Sequence, residues 1–289
     1  MLSYTALIDD ATKQLYDTTE TPRIDSEVLM QHVLQKDIAW LIAYGDTLAT
    51  AYHSKAFYDL IAKRHSGQPI AYLVGWRDFW TLSLTVNENV LIPRPDTETL
   101  VEEALERLPK DRSIDVLELG TGSGAIALSI AKERPLASVI AVEVHPMALE
   151  VAKQNNERNN ITNVEFRLSD WFSAVDQSEQ FDLIASNPPY VEPNDPHLQQ
   201  GDLRFEPITA LSSPENGLAD IRKIIEAAPL HLKDNGWIVI EHGFNQDKDV
   251  AELLHKNGFS QITLHKDINQ LPRCTCGKKS AASQTAKKQ

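Results

Sequence analysis

The chain has 289 residues, 42% hydrophobic and 24% charged, which is ordinary for a water-soluble globular protein and enough for one or two cores. Its net charge of −13 is uneven: residues 1–88 hold 7 basic and 11 acidic side chains, residues 89–277 hold 17 and 30, and the last twelve add four lysines. Nucleic-acid binding needs a basic surface to neutralise phosphate, so this balance argues against DNA as a partner and suits a neutral or basic protein substrate.

The opening MLSYTALIDDATKQL places charges where a secretory leader needs an apolar stretch. No apolar run approaches the ~18 residues of a membrane span, and a cytoplasmic location is expected. Residues 1–75 are predicted to be a helical domain, because YTALIDDATKQLYDT, IDSEVLMQHVLQ, IAWLIAYG and SKAFYDLIAKRHS repeat apolar residues every three or four positions. Ser3, Asp25 and Ser54 are the expected N-caps. The region carries no catalytic signature and is either a structural bundle or a surface that docks a partner. In residues 76–92 the alternation of WTLSLTV, then Asn87-Glu88-Asn89, then VLIP predicts a β-hairpin between domains. Pro93-Arg94-Pro95-Asp96 is a stiff exit into the helix TETLVEEALERL, with Asp96 or Thr97 as its cap.

Residues 93–277 alternate strands with helices. The strands DVLEL, SVIAVEV, VEFRL, FDLIAS, GWIVIEH and QITLHKD are rich in Val and Ile, and helices separate most of them. That pattern means a mainly parallel sheet covered on both faces. RCTCGKK is one further candidate strand, and residues 278–289 read as a disordered basic tail. On a strand, Cys274 and Cys276 would share a face. A disulfide between them would be strained and a zinc site would need more ligands, so no metal or redox role is expected.

DVLELGTGSGAIALSIA joins a strand, a glycine turn and a helix. Gly120, Gly122 and Gly124 let the backbone turn sharply and approach a ligand closely. The next strand ends in Glu143, where doubly wound folds hold ribose hydroxyls with a carboxylate. NAD and S-adenosylmethionine both satisfy this arrangement. Ser169-Asp170-Trp171-Phe172 follows the third strand on the same rim; there an Asp beside an aromatic suits an adenine or, alternatively, anchors a surface loop. Glu241-His242 ends the fifth strand and is either strand-end packing or part of the crevice.

Ser186-Asn187-Pro188-Pro189-Tyr190-Val191 follows the fourth strand, again on that rim. The Asn187 side-chain oxygen is an acceptor and Pro188 offers a carbonyl with no competing N–H. Two fixed acceptors can hold both hydrogens of a planar amino group while Tyr190 lies against it, so the motif reads as an amine or amide holder.

With NPPY downstream of LELGTGSG, the sequence resembles adenosylmethionine-dependent amino methyltransferases. More narrowly it is similar to the HemK/PrmC family, which methylates the glutamine N5 of the Gly-Gly-Gln motif in peptide chain release factors. The similarity runs over roughly residues 10–277 and includes GQPIAYLVGWRDFW, LIPRPDTETLVE, LELGTGSGAIAL, SNPPYV, FEPITAL and NGLADIRKI. NPPY alone is shared with adenine and cytosine N-methyltransferases, whereas the PRPDTE segment is far more specific.

The resemblance implies a class I methyltransferase fold, a Rossmann-like, doubly wound and mostly parallel seven-stranded sheet, with a small N-terminal helical domain joined by a β-hairpin. It implies that Gly120, Thr121, Gly122, Ser123 and Gly124 bind S-adenosyl-L-methionine with Glu143, in place of the family's usual Asp, on the ribose. Asp170 and Trp171 would face the adenine. Asn187 would reach both cofactor and substrate, holding the glutamine amide with the Pro188 carbonyl, while Pro189 and Tyr190 pack against it. Arg94 would help position the target loop at the pocket mouth or anchor the hairpin. The implied partners are release factors, without nucleic acid or membrane, and the chain is expected to be a monomer. The rival readings are a nucleic-acid N-methyltransferase acting on a flipped base and a non-catalytic cofactor-binding scaffold.

Overall fold

The computed structural model describes residues 1–280. The chain divides into two units: Met1–Trp76 with Gln199–Phe205, and Arg77–Leu198 with the chain from Glu206 onward.

In the first unit, α1 (Tyr4–Gln14), α2 (Pro22–Leu34), α3 (Ile38–Tyr44), α4 (Ala51–His65) and α5 (Ile70–Val74) bury one apolar cluster that includes Leu7, Leu15, Leu29, Phe57 and Ile61. Ser3 caps α1, its hydroxyl accepting from the Ala6 N–H at 3.2 Å. The other two expected caps differ. α4 starts at Thr50, which accepts from the His53 N–H, and Ser54 lies one turn inside. Asp25 lies in the first turn of α2, behind Pro22 at the position where a proline costs nothing. Its carboxylate is buried and taken up by Thr21 Oγ1 at 2.9 Å and Arg64 Nε at 2.7 Å. Arg64 also donates to the Gln68 carbonyl, to Thr19 and to Asp202, tying the 199–205 segment to the helices of this unit.

The second unit begins with β1 (Trp76–Phe79) and β2 (Leu82–Thr85) as a two-stranded sheet. Its turn falls at Trp80-Thr81, earlier than the Asn87–Asn89 turn the alternation predicts. Trp80 adopts a left-handed φ of 55° while its N–H donates to Glu98 and its indole N–H to Glu133. Asn87 instead makes a separate turn after β2, its side chain accepting from the Asn89 N–H. A 3₁₀ turn over Pro95–Thr97 then leads into α6 (Glu98–Arg107). Neither expected cap acts there: Thr97 makes no side-chain capping bond, and Asp96 pairs with Arg273.

Next come β3 (Ile114–Leu119), α7 (Ala125–Glu133), β4 (Ala137–Glu143), α8 (Pro146–Arg158), β5 (Val164–Leu168), β6 (Phe181–Ser186), α9 (Ile208–Leu211), α10 (Ala219–His231), β7 (Leu232–Glu241), α11 (Asp247–Lys256), β8 (Phe259–Lys266) and β9 (Pro272–Lys279). The described strands form a seven-stranded sheet in the order β5-β4-β3-β6-β7-β9-β8, parallel except that β9 runs against both neighbours. Alternate residues feed opposite cores. Val116, Val139, Leu183 and Val239 pack with Leu100 and Leu128, whereas Leu117, Val142, Ile184 and Ile240 pack with Ile224 and Leu254. Both faces are therefore covered, as continuous apolar strands require.

Two residues of the tail expected from 278 are ordered strand instead. Lys278 and Lys279 belong to β9: Lys278 lies over the Trp237 ring, and Lys279 Nζ donates to the Pro229 and Leu232 carbonyls. Residues 281–289 lie outside the described residues. No helix among the described residues is long and apolar enough to cross a membrane.

Arg64 is the first unit's buried counter-charge. Arg64→Met would leave the buried Asp25 carboxylate without its counter-charge, and urea unfolding should show a loss of about 3–5 kcal/mol.

Candidate active site

Register places the site. Leu119 pairs with Val142 on one side and Ser186 on the other, and Ser186 pairs with Ile240. The next residue of each strand or loop therefore falls in one row along the carboxyl rim: Glu143, Gly120, Asn187 and Glu241. From β3 the strand order runs outward through β4 and β5 on one side and through β6 and β7 on the other, so the gap between β3 and β6 is the switch point where open α/β sheets bind ligands. A cavity of about 380 Å³ opens there.

Gly120, Thr121, Gly122, Ser123, Glu143, Asp170 and Trp171 line one part of this cavity; Gly124, also expected there, faces the helices instead, where a Cβ would stand 3.0 Å from Leu128 and 3.4 Å from Ala152. The three glycines have φ of 74°, 54° and 86°. At Gly122 a Cβ would meet nothing within 4 Å, so the side open to the cavity is left free for a ligand. The Glu143 carboxylate grips the turn, accepting from the N–H groups of Gly122, Val144 and His145 at 2.9–3.0 Å. Trp171 lies over Gly120, its ring 3.3 Å from where a Cβ would stand.

Two residues here escape the motif reading. Asn155 of α8 is fully buried and donates to the carbonyls of Thr85 and Ser123 at 2.9 Å, fixing the glycine turn from behind. Glu118 lines the cavity at 1% exposure. Its Oε2 accepts from the Thr121 hydroxyl and the Ala127 N–H, while its buried Oε1 has no protein partner among the described residues. Burial pushes its carboxyl up to about 7. A charged residue set among Val116, Leu117 and Leu119 was the sequence signal for it; nothing distinguished Asn155 in QNNERNN.

Asn187, Pro189, Arg94 and Thr97 line another part of the cavity, with Pro207 and Lys223 also on its wall. Asn187 Nδ2 donates to Thr97 Oγ1 at 3.2 Å, so the amide's oxygen is the end left for a ligand. Pro188 and Tyr190 stand behind this lining rather than in it. Pro188 is buried, and the Tyr190 hydroxyl turns inward to donate to Glu241 Oε1 at 3.2 Å. Arg94 is paired with Glu206, whose other oxygen accepts from the Ile92 N–H at 2.9 Å. This buried carboxylate from FEPITAL therefore clasps both the hairpin exit and a cavity residue.

The Tyr190 carbonyl accepts from Gln246 Nε2 at 3.0 Å, and a Cβ at Gly217 would stand 1.9 Å from it. Gly217 has a φ of 81°, so the glycine of NGLAD is required twice over.

His242 is strand-end packing: it is fully buried between Thr275 Oγ1 at 2.7 Å and the Gly243 carbonyl. Cys274 and Cys276 are both buried in the same core. Cys276 lies in a cluster with Glu103 and His265 whose donor atoms are within 4.8 Å of one another. Ion pairs occupy that cluster: His265 Nδ1 is 2.7 Å and Arg107 Nη1 2.6 Å from the Glu103 carboxylate.

Residues 6–75 match the PrmC N-terminal domain family, and residues 110–288 the methyltransferase domain family. The chain is 44% identical over 94% of its length to the release factor glutamine methyltransferase of Salmonella typhimurium, 97% of which is covered. It is 45% identical over 96% of its length to that of Xylella fastidiosa, 98% of which is covered. Among solved structures, a methyltransferase from Pyrococcus furiosus superposes with a TM-score of 0.53 at 20% identity, covering 76% of this chain and 97% of that one; this likeness bears on the fold.

Glu118 has a testable linkage. Its folded pKa is raised to about 7. Between the ordinary carboxylate range and that value, the folded chain holds a proton that the unfolded chain releases, so the contribution favours folding at low pH and is lost as pH rises through about 7. Glu118→Gln removes the ionisation. Urea unfolding at about pH 5 and about pH 8 should show the variant gaining on the wild type as pH rises.

Proposed function

This chain belongs to the release factor glutamine methyltransferase family, and on that footing we propose that it methylates N5 of the glutamine in the Gly-Gly-Gln motif of peptide chain release factors, so modulating translation termination. It does so as a cytoplasmic monomer. The observation that carries the site assignment is the pinned Asn187 amide: its Nδ2 is spent on Thr97, and its Oδ1 faces the cavity shared with the glycine turn.

The cofactor is S-adenosyl-L-methionine. A cavity of about 380 Å³ is within the usual small-ligand range of about 300–1,000 Å³. The Gly122 turn leaves room for close approach, and the orphaned Glu118 Oε1 offers an acceptor to a cationic or hydroxyl-bearing ligand. Glu143 is positioned for ribose hydroxyls, and Asp170 with Trp171 for the adenine. When bound, the cofactor supplies a sulfonium methyl, which the amide nitrogen takes as the carbon–sulfur bond breaks.

A carboxamide nitrogen is a weak nucleophile because its lone pair is delocalised into the carbonyl. Asn187 Oδ1 at the cavity wall accepts one of its N–H bonds, and the Pro188 carbonyl, behind that wall, accepts the other once the substrate amide has entered, which localises the lone pair and aims it. The Tyr190 ring backs the planar group, with Pro189 beside it, and Arg94 steadies the approaching loop from the Glu206 side. Positioning of this kind can lower a barrier by about 7–11 kcal/mol, so no strong base is required before attack. The proton becomes acidic once the nitrogen is methylated.

Asn187→Ala should abolish transfer while leaving cofactor affinity near wild type by calorimetry. Asn187→Asp, which can still accept, should retain a small residue of activity. Labelled S-adenosyl-L-methionine should mark a purified release factor but neither its Gln-substituted variant nor duplex DNA; label on DNA alone would reverse the assignment.

A further inference from the structure

Asn187, Pro189 and Thr97 all line the cavity, and both the Asn187 amide and the Tyr190 ring are fastened to groups at or behind that lining. Asn187 Nδ2 donates to Thr97 Oγ1, and the Thr97 hydroxyl in turn faces the Glu241 carboxyl. The Tyr190 hydroxyl donates to Glu241 Oε1 at 3.2 Å. Glu241 is 1% exposed, and its Oε2 has no hydrogen-bond partner of its own among the described residues. One buried carboxyl thus underlies both side chains assigned to the substrate amide. It reaches them from the neighbouring strand, because Ser186 pairs with Ile240 and brings Glu241 beside Asn187.

We propose that Glu241 is a positioning residue for methyl transfer, acting through the Thr97 hydroxyl on the Asn187 amide and directly on the Tyr190 hydroxyl. The proposal rests on the assignment of Asn187 and Tyr190 to the substrate amide. Thr97 accepts from Asn187, so its own proton must go elsewhere, and an ionised Glu241 is the acceptor that faces it. With that proton placed, the amide is kept with Nδ2 inward and Oδ1 toward the cavity. If the Thr97 hydroxyl turned round, the amide would lose the bond that orients it. A flipped amide would present two donors to a substrate that itself needs two acceptors.

The ionisation of Glu241 should therefore be visible in the rate. Burial raises its carboxyl to about 7. The groups facing it are Arg273 of β9, which favours the carboxylate, Asp96 of the 3₁₀ turn, which opposes it, the Tyr190 hydroxyl, and the Cys274 thiol directly opposite on β9. Above about pH 7 the carboxylate accepts both hydroxyl protons; below it the carboxyl carries its own proton and the arrangement loosens.

The test uses the full-length enzyme, a purified release factor and labelled S-adenosyl-L-methionine. Glu241→Gln and Thr97→Val should each lower kcat on the order of 10–100-fold, the scale of a small misplacement at a reacting centre. KM for the release factor and cofactor affinity should hold. Thr97→Ser, which keeps the hydroxyl, should stay close to wild type. The wild-type kcat should climb with pH through about 7, and Glu241→Gln should flatten that limb. Wild-type kcat and pH profile in Glu241→Gln would overturn the proposal. So would losses that track cofactor affinity or melting temperature, since those describe a merely structural group. If the wild-type enzyme leaves the release factor unlabelled, the transferase assignment fails, and the positioning role falls with it.

Discussion

Parallel pairing of β3 with β6 sets Leu119 against Ser186, and the Ser186 hydroxyl joins the two strands by donating to the Leu119 carbonyl at 2.8 Å. From that register Gly120 and Asn187 leave the sheet side by side. A slip of one residue would send every side chain of the strand to the opposite face and separate the glycine turn from the amide. The register is specified strongly because both faces are buried: Leu183 and Ala185 belong to one core and Ile184 to the other. Core packing, which has no chemistry of its own, thus decides which polar groups meet.

Those polar groups include four buried carboxylates, and each is accommodated differently. Glu143 accepts three backbone N–H groups, and Glu206 takes Arg94 together with the Ile92 N–H. Glu118 and Glu241 each keep one oxygen without a protein partner among the described residues, and burial pushes both up to about 7. Unsatisfied acceptors are costly inside a protein and cluster where a site must bind or orient something. Their placement is consistent with this: Glu118 lies beside the glycine turn and Glu241 behind Asn187. The two fully matched carboxylates shape loops, and the two partly matched ones stand next to the chemistry.

Much of this was legible in the residues. The glycine turn, the acid ending β4 and the Asn-Pro-Pro-Tyr motif all sit at the ends of Val- and Ile-rich strands, and parallel pairing brings those ends to one rim. The partner each polar group would choose could not be read in the same way. Thr97 looks like a helix cap from its place before ETLVEEAL, yet its hydroxyl accepts from Asn187, ninety positions away. Asp96 looks like the alternative cap and pairs with Arg273. Ser54 has the right residue type, but Thr50 begins the helix one turn earlier. Capping propensity amounts to about 1 kcal/mol, and an ion pair or a functional hydrogen bond competes with it easily. The hairpin turn was misplaced for a related reason: the bonds that hold Trp80 in its left-handed conformation come from Glu98 and Glu133, which local alternation does not register.

The two prolines and the tyrosine after Asn187 make sense as parts of a fixed mount. Orientation can replace a base only if the acceptors do not move, and this segment is held from several sides. The Tyr190 carbonyl is clamped by Gln246, its hydroxyl by Glu241, and Val191 bonds in both directions to Leu211 and Ser213. Gly217 lets that clamp close, since any side chain there would strike the Tyr190 carbonyl. FEPITAL and NGLADIRKI therefore belong to the site twice over, since Pro207 and Thr209 of the first and Asp220 and Lys223 of the second also line the cavity. Glu206 fixes the hairpin exit, and Gly217 admits the tyrosine backbone. The proposed transfer aims an amide nitrogen rather than deprotonating it, which requires rigidity of this kind, and residues such as Glu206, Gly217 and Gln246 would supply it with chemistry spent entirely inside the protein.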